Sequence, residues 1–181
     1  MDRTRALILK KDCIEWESGD IKGSEFEKLQ GSDIVDFKHG ASWIVWYEFA
    51  VGKRYSLAIK GENSELRIQF TSMFGMHKEY FQVYSDIVED IWKFYYSDVV
   101  NRHANTLEQD GEITLGGIKL NVDGIELNDG RLLAWNECAI KEYNEYFAIY
   151  DKCNPLRYHT ARYNEYGTEA LWSVARRRCN R

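Results

Sequence analysis

An α+β fold built mainly from antiparallel strands is what this sequence predicts, and three observations carry the prediction. Aromatic residues make up 14% of the 181, with six Trp and twelve Tyr, a composition that suits sheet surfaces. Short apolar runs separated by turn residues recur through both halves of the chain. Between the halves lies one long amphipathic run, residues 77–101, HKEYFQVYSDIVEDIWKFYYSDVVN.

Taken in order, residues 5–16 (RALILKKDCIEW) read as two short strands around a tight turn at 10–13. Residues 17–31 mix charge, glycine and single hydrophobics (Ile21, Phe26, Leu29), an irregular excursion that is expected to rejoin the sheet at 34–37. The densest strand signal is 42–51, SWIVWYEFAV. Trp43, Val45, Tyr47, Phe49 and Val51 alternate on one face, while Ile44, Trp46 and Ala50 share the other with Glu48. A strand apolar on both faces is expected inside a sheet. Its turn is expected at Gly52-Lys53-Arg54, followed by strands at 55–60 and 65–71 in a three-stranded meander.

In the long run, Tyr80, Tyr84, Ile87, Val88, Ile91, Trp92, Tyr95 and Val99 recur at helical spacing, which predicts a helix over 77–101 with Trp92 buried. Phe81, Phe94 and Tyr96 fall outside that stripe, surplus apolar surface available for a second unit or another chain. Glu89 and Asp90 sit on the polar side, where solvated charge accounts for them. The polar stretch 102–112 is expected to be a linker, dividing the chain into units at 1–101 and 113–181. The second unit reads as strands at 113–115, 117–121, 125–128, 132–135, 139–141, 146–151 and 156–163, with a hairpin turn at Asp129-Gly130. A closing helix is expected over about 166–178, capped by Asn164 or Thr168 and turning Leu171, Trp172, Val174 and Ala175 inward.

Composition narrows the function classes. A net charge of −5 disfavours a general binder of nucleic acid or of anionic membranes. Arg176, Arg177, Arg178 and Arg181 are the local exception. They suit the C-terminal end of a helix dipole, or alternatively a contact with an anionic ligand or acidic partner. Four cysteines (Cys13, Cys138, Cys153, Cys179) are far apart with no C-x-x-C pair, and the N-terminal apolar run is too short for a signal peptide. A cytoplasmic protein with reduced thiols is the expectation.

The two halves also resemble each other. LKKDCIEWESG at 9–19 aligns with LNVDGIELNDG at 120–130, and LAIKGENSELR at 57–67 with FAIYDKCNPLR at 147–157. Both matches come in the same order, and each half ends in a helix, a pattern that favours duplication.

The second half resembles a known family. Leu115-Gly116-Gly117-Ile118, a hairpin ending in Asp123-Gly124-Ile125, then Leu133-Ala134-Trp135-Asn136-Glu137 ahead of further strands and a closing helix, is similar to small bacterial domains with a pleckstrin-homology-like (PH-like) fold. The likeness covers about 113–178 and, more loosely, 5–101. It departs from the family pattern at Cys138-Ala139-Ile140, where the isoleucine would be expected one residue earlier. It implies two PH-like bent sheets or partial barrels, each closed by a C-terminal helix, and a binding role with headgroups, peptides or further copies as ligands.

No catalytic signature appears: there is no G-x-S-x-G, P-loop or G-x-G-x-x-G, and His39, His77, His103 and His159 are dispersed without zinc spacing. Gly116-Gly117 reads as a strand bend or bulge. The expectation is a non-enzymatic interaction module without cofactor or metal, binding a protein partner or its own copies. Trp43, Trp46, Tyr47 and Phe49 are the candidate interface aromatics, with plain sheet core as the competing reading. Phospholipid headgroup or small-ligand binding is the alternative, with Arg176, Arg177 and Arg178 as candidate anionic contacts. An enzyme with a pocket between sheet and central helix ranks behind both.

Overall fold

A computed structural model describes residues 5–18, 25–73, 75 and 77–179. The fold is α+β, with antiparallel strands in four small sheets and no closed barrel among the described residues. The first half contributes β1 (Leu7–Leu9), β2 (Cys13–Glu17) and β3 (Phe26–Gln30) in one sheet, and β4 (Ile34–Trp46), β5 (Phe49–Gly61) and β6 (Glu65–Met73) in the next. Helix α1 (His77–Ile91), a π-helical turn (Trp92–Tyr96) and α2 (Ser97–Asp110) follow as one continuous rod. The second half has a four-stranded sheet, β7 (Glu112–Leu115), β8 (Ile118–Asn121), β9 (Gly124–Glu126) and β10 (Leu132–Ala134). Its three-stranded partner is β11 (Cys138–Glu142), β12 (Tyr146–Asp151) and β13 (Tyr158–Arg162), and α3 (Thr168–Cys179) ends the chain.

One hydrophobic core serves both halves. Ile14, Phe37, Tyr55, Ile59 and Ile91 from the first are continuous with Leu120, Ile125, Leu133, Phe147 and Leu171 from the second. The rod lies between them: α1 packs on β5 and β6, whereas α2 packs on α3, β7 and β4.

Several sequence expectations need correction. Residues 26–30 are a strand paired with β2, hidden from sequence reading because only Leu29 of that strand is buried; Ile21 lies outside the described residues. The run 42–51 is two strands rather than one. The chain reverses at Tyr47-Glu48, with Tyr47 at φ 53°, so that Trp46 faces Phe49 across a tight hairpin. Gly52, Lys53 and Arg54 lie inside β5 instead of forming the turn. Gly52 is there for close approach: a Cβ would lie 2.7 Å from the Ser72 carbonyl oxygen and 2.6 Å from the Met73 sulfur.

The helical rod does not stop at 101. His103, Ala104 and Leu107 carry the stripe onward, Leu107 is fully buried, and residues 102–110, expected as linker, are its last turns before Gly111. Tyr96, outside a regular helical stripe, is fully buried because the π-turn inserts an extra residue and rotates the face behind it. Gly116 and Gly117 are the two central residues of the β7–β8 hairpin, both at positive φ, which fits a type I′ turn and replaces the expected bend or bulge.

The thiols also differ from expectation. Cys138 and Cys179 are joined by a disulfide with Cα atoms 5.5 Å apart, tying the last turn of α3 to β11, while Cys13 and Cys153 are free. The two cysteines are 41 positions apart in the sequence, so nothing local announces the pair.

The first of the two matched segments keeps its geometry. Leu9 pairs with Ile14 across β1–β2, and Leu120 with Ile125 across β8–β9, both isoleucines fully buried. In the second, Leu57 and Ile59 match buried Phe147 and Ile149, but the turns that follow differ, and Leu66 is buried where Leu156 is exposed.

Candidate functional site

Two regions stand out, a hairpin tip and a cleft. The tip follows from strand lengths. β4 and β5 each run 13 residues, but β6 ends at Met73 opposite Gly52. Everything from Trp46 to Val51 therefore projects past the third strand. Burial on both faces, expected from the sequence, is overturned: Trp43 is 54% exposed, Trp46 68%, Tyr47 85% and Phe49 74%. Val45, Met73 and Phe81 add exposed apolar surface nearby. Among the described residues, aromatic contacts of the tip are Trp46 against Tyr47, 5.5 Å between ring centres, and Trp43 edge-on to His77. Behind it, the Lys53 ammonium lies 5.3 Å from the Trp43 ring centre. Contiguous exposed apolar surface of this kind is uncommon on a monomeric soluble protein.

The cleft lies where the π-turn meets α3. Its organising group is Glu169, the second residue of α3 and 97% buried. One carboxylate oxygen lies 2.7 Å from His39 Nε2, and the other accepts a hydrogen bond from Trp92 Nε1 at 3.2 Å. His39 Nδ1 in turn lies 2.6 Å from the Tyr84 hydroxyl, and its ring stacks between Phe37 and Tyr163. Burial, with the Glu169 charge second, pushes the Tyr84 phenol far above its ordinary range. Both nitrogens of the imidazole and both oxygens of the carboxylate are thus engaged with protein partners. The His39–Glu169 and Trp92–Glu169 contacts join the first half of the chain to the second.

A parallel link runs through Asp36. Its carboxylate accepts from Phe37 N at 2.7 Å, from the Tyr96 hydroxyl at 2.9 Å and from Gly167 N at 2.6 Å, just before α3 begins. Burial raises its pKa despite those three donors. The start of α3 is therefore pinned by two carboxylates, Asp36 reaching across from the first half and Glu169 reaching back to it.

Around this frame, His39, Glu89, Trp92, Tyr163, Glu169 and Trp172 line an open cleft of roughly 540 Å³. A second, of roughly 440 Å³, shares Trp92 and Trp172 and is bounded by Ser173, Arg176 and Arg177. Trp92, expected to be buried, is only partly so, because it forms the wall between the two.

Of the three candidate arginines, the structure brings two to the cleft. Arg176 lies 4.8 Å from the Trp172 ring centre and 3.6 Å from Glu142, and Arg177 donates to Asn101 Oδ1 at 2.9 Å. Arg178 is instead paired with Glu108 on α2. Among the described residues no group of three His, Cys, Asp or Glu side chains is placed to hold a metal ion.

No family model, no curated protein and no solved structure matches this sequence. Geometry alone therefore carries the functional argument.

Sequence reasoning missed His39, Glu169, Tyr163 and Trp172 as a group. A faint signal existed for two of them. His39 keeps the register of Phe37 and Ala41 on the inward face of β4, and Glu169 interrupts the apolar stripe of α3 three residues before Trp172. A charged or titratable residue on an inward face needs a partner, and each is the other's.

Proposed function

We propose that this chain is a non-enzymatic interaction module that self-associates through the β4–β5 hairpin, on a PH-like scaffold of two units. The exposed aromatic tip is the observation that carries the reading. Among the described residues β4 pairs only with β5 in its sheet; its outer edge donates from His39 N to the Tyr163 carbonyl oxygen, and from Ser42 to Trp46 it is open to another strand. A second copy supplies that strand with matching chemistry. Two β4 strands running antiparallel about a two-fold axis join their sheets, cover Trp43, Trp46 and Phe49, and bring Glu48 of one tip beside the Lys53–Arg54 segment of the other. The scaffold reading is supported by two successive sheets and a helix in each half, and duplication by the equivalent pairs Leu9–Ile14 and Leu120–Ile125.

Light scattering over a concentration series tests the assignment. The wild-type chain should run as a dimer, and a Trp46→Ser/Phe49→Ser double variant as a monomer with an unchanged circular dichroism spectrum. A wild-type monomer at the highest attainable concentration overturns self-association. If that monomer sediments with lipid vesicles through Trp46 and Phe49, the hairpin is a membrane anchor instead. No helix among the described residues is long and apolar enough to cross a membrane.

A further inference from the structure

The two clefts that share Trp92 and Trp172 have opposite charge at their far ends. At one end stands Glu89, exposed and with no hydrogen bond or ion pair to the described residues; Glu169 lines the same cleft. At the other stand Arg176 and Arg177. Between them the walls are aromatic: Trp92 and Trp172 meet edge to face at 6.2 Å, and Tyr163 closes one side. Aromatic faces beside a carboxylate favour a weakly hydrated organic cation over a strongly hydrated one, because the ring quadrupole attracts charge without replacing a hydration shell. Trp172 already receives one such cation, the Arg176 guanidinium. The volumes fall within the range of small-molecule sites.

We propose that this double cleft binds a small zwitterion, its alkylated ammonium held among Trp92, Tyr163 and Glu89 and its carboxylate or phosphate held by Arg176 and Arg177. Arg178 is paired with Glu108 and lines neither cleft, whereas Arg176 lines the second and is 3.6 Å from the exposed Glu142, a contact it exchanges for the ligand's anionic group. The site is separate from the hairpin and does not rest on self-association.

Calorimetric titration of the full chain with choline, glycine betaine and phosphocholine tests it. At least one of the two zwitterions should bind with unit stoichiometry and about tenfold more tightly than choline, which lacks the anionic group. Glu89→Gln should weaken all three probes, since it removes the cation's counter-charge at an exposed position without touching the core. Arg177→Gln should bring the zwitterions down to the level of choline and leave choline unchanged. Thermal melting equal to wild type establishes that both variants are folded. Absence of saturable binding by any probe up to about 10 mM, well beyond the weak end of specific recognition, overturns the proposal. So does choline binding as tightly as the zwitterions, or zwitterion affinity indifferent to Glu89→Gln. Sedimentation with phosphatidylcholine vesicles then separates the sources: co-sedimentation lost in Arg177→Gln identifies a lipid headgroup, and solute binding without it identifies a free solute.

Discussion

Replacing Glu169 in two ways tests whether its role is the one the geometry gives it. In Glu169→Ala the carboxylate disappears from a site 97% buried, leaving His39 Nε2 and Trp92 Nε1 without the partners now at 2.7 and 3.2 Å. Each of the two orphaned groups costs about 1–3 kcal/mol, so losing both costs about 2–6 kcal/mol. A loss of that size is the expectation, a large share of the roughly 5–15 kcal/mol that stabilises an ordinary domain. Glu169→Gln keeps the shape. Its oxygen still accepts from Trp92, and its amide nitrogen can donate to His39 Nε2 once the imidazole proton sits on Nδ1, facing the Tyr84 hydroxyl. Only the charge assistance is lost, worth about 1 kcal/mol. Urea unfolding followed by far-ultraviolet circular dichroism measures both variants against wild type. Equal destabilisation by Ala and Gln would refute the reasoning, because the charge rather than the hydrogen-bond pattern would then be what matters.

Two further predictions concern the same junction and the histidines. Gly167 adopts φ +79°, and a Cβ there would stand 2.5 Å from the Gly116 backbone nitrogen, so Gly167→Ala should destabilise by about 2 kcal/mol or more in the same unfolding assay. Burial lowers the pKa of both His103 and His159 below the ordinary 6.5. The unfolded chain then binds protons first as pH falls through about 6.5, so the stability these two neutral rings support is present above that pH and drains away below it, at no more than about 1.4 kcal/mol per pH unit for each proton. Melting temperatures between pH 7.5 and 5.5 should decline, and a His103→Gln/His159→Gln double variant should show a shallower decline; parallel slopes would remove the histidines from the account.

Much of the fold was legible because local pattern and tertiary role agree. The strand at 146–151 matches β12, with Phe147 and Ile149 inward, and the closing helix follows from Leu171, Val174 and Ala175. The misreadings occur where a residue serves a long-range contact. Gly52 has the sequence signature of a turn, yet its missing side chain serves the approach of Ser72 and Met73. Tyr47, an aromatic with strand propensity, makes the turn instead. The apolar alternation around it is real, but no third strand among the described residues covers it, and sequence pattern cannot report how far a neighbouring strand extends. The cleft was invisible for a related reason. His39, Tyr84, Trp92 and Glu169 come from one strand, two parts of the rod and the last helix, and their meeting depends on a packing angle that no local spacing encodes.

The π-turn at Trp92–Tyr96 has a consequence for how the two halves are joined. One added residue advances a helical surface by about 100°. A regular helix would keep its apolar stripe on one side from end to end and could serve only partners on that side. With the phase step, α1 addresses β5 and β6, and α2 addresses α3 and β7. The rod therefore works like a keyed shaft, its two ends cut at different angles so that each half can seat in only one orientation. Trp92, at the step itself, is left facing neither socket fully, and that is why it is available as the wall of a cleft.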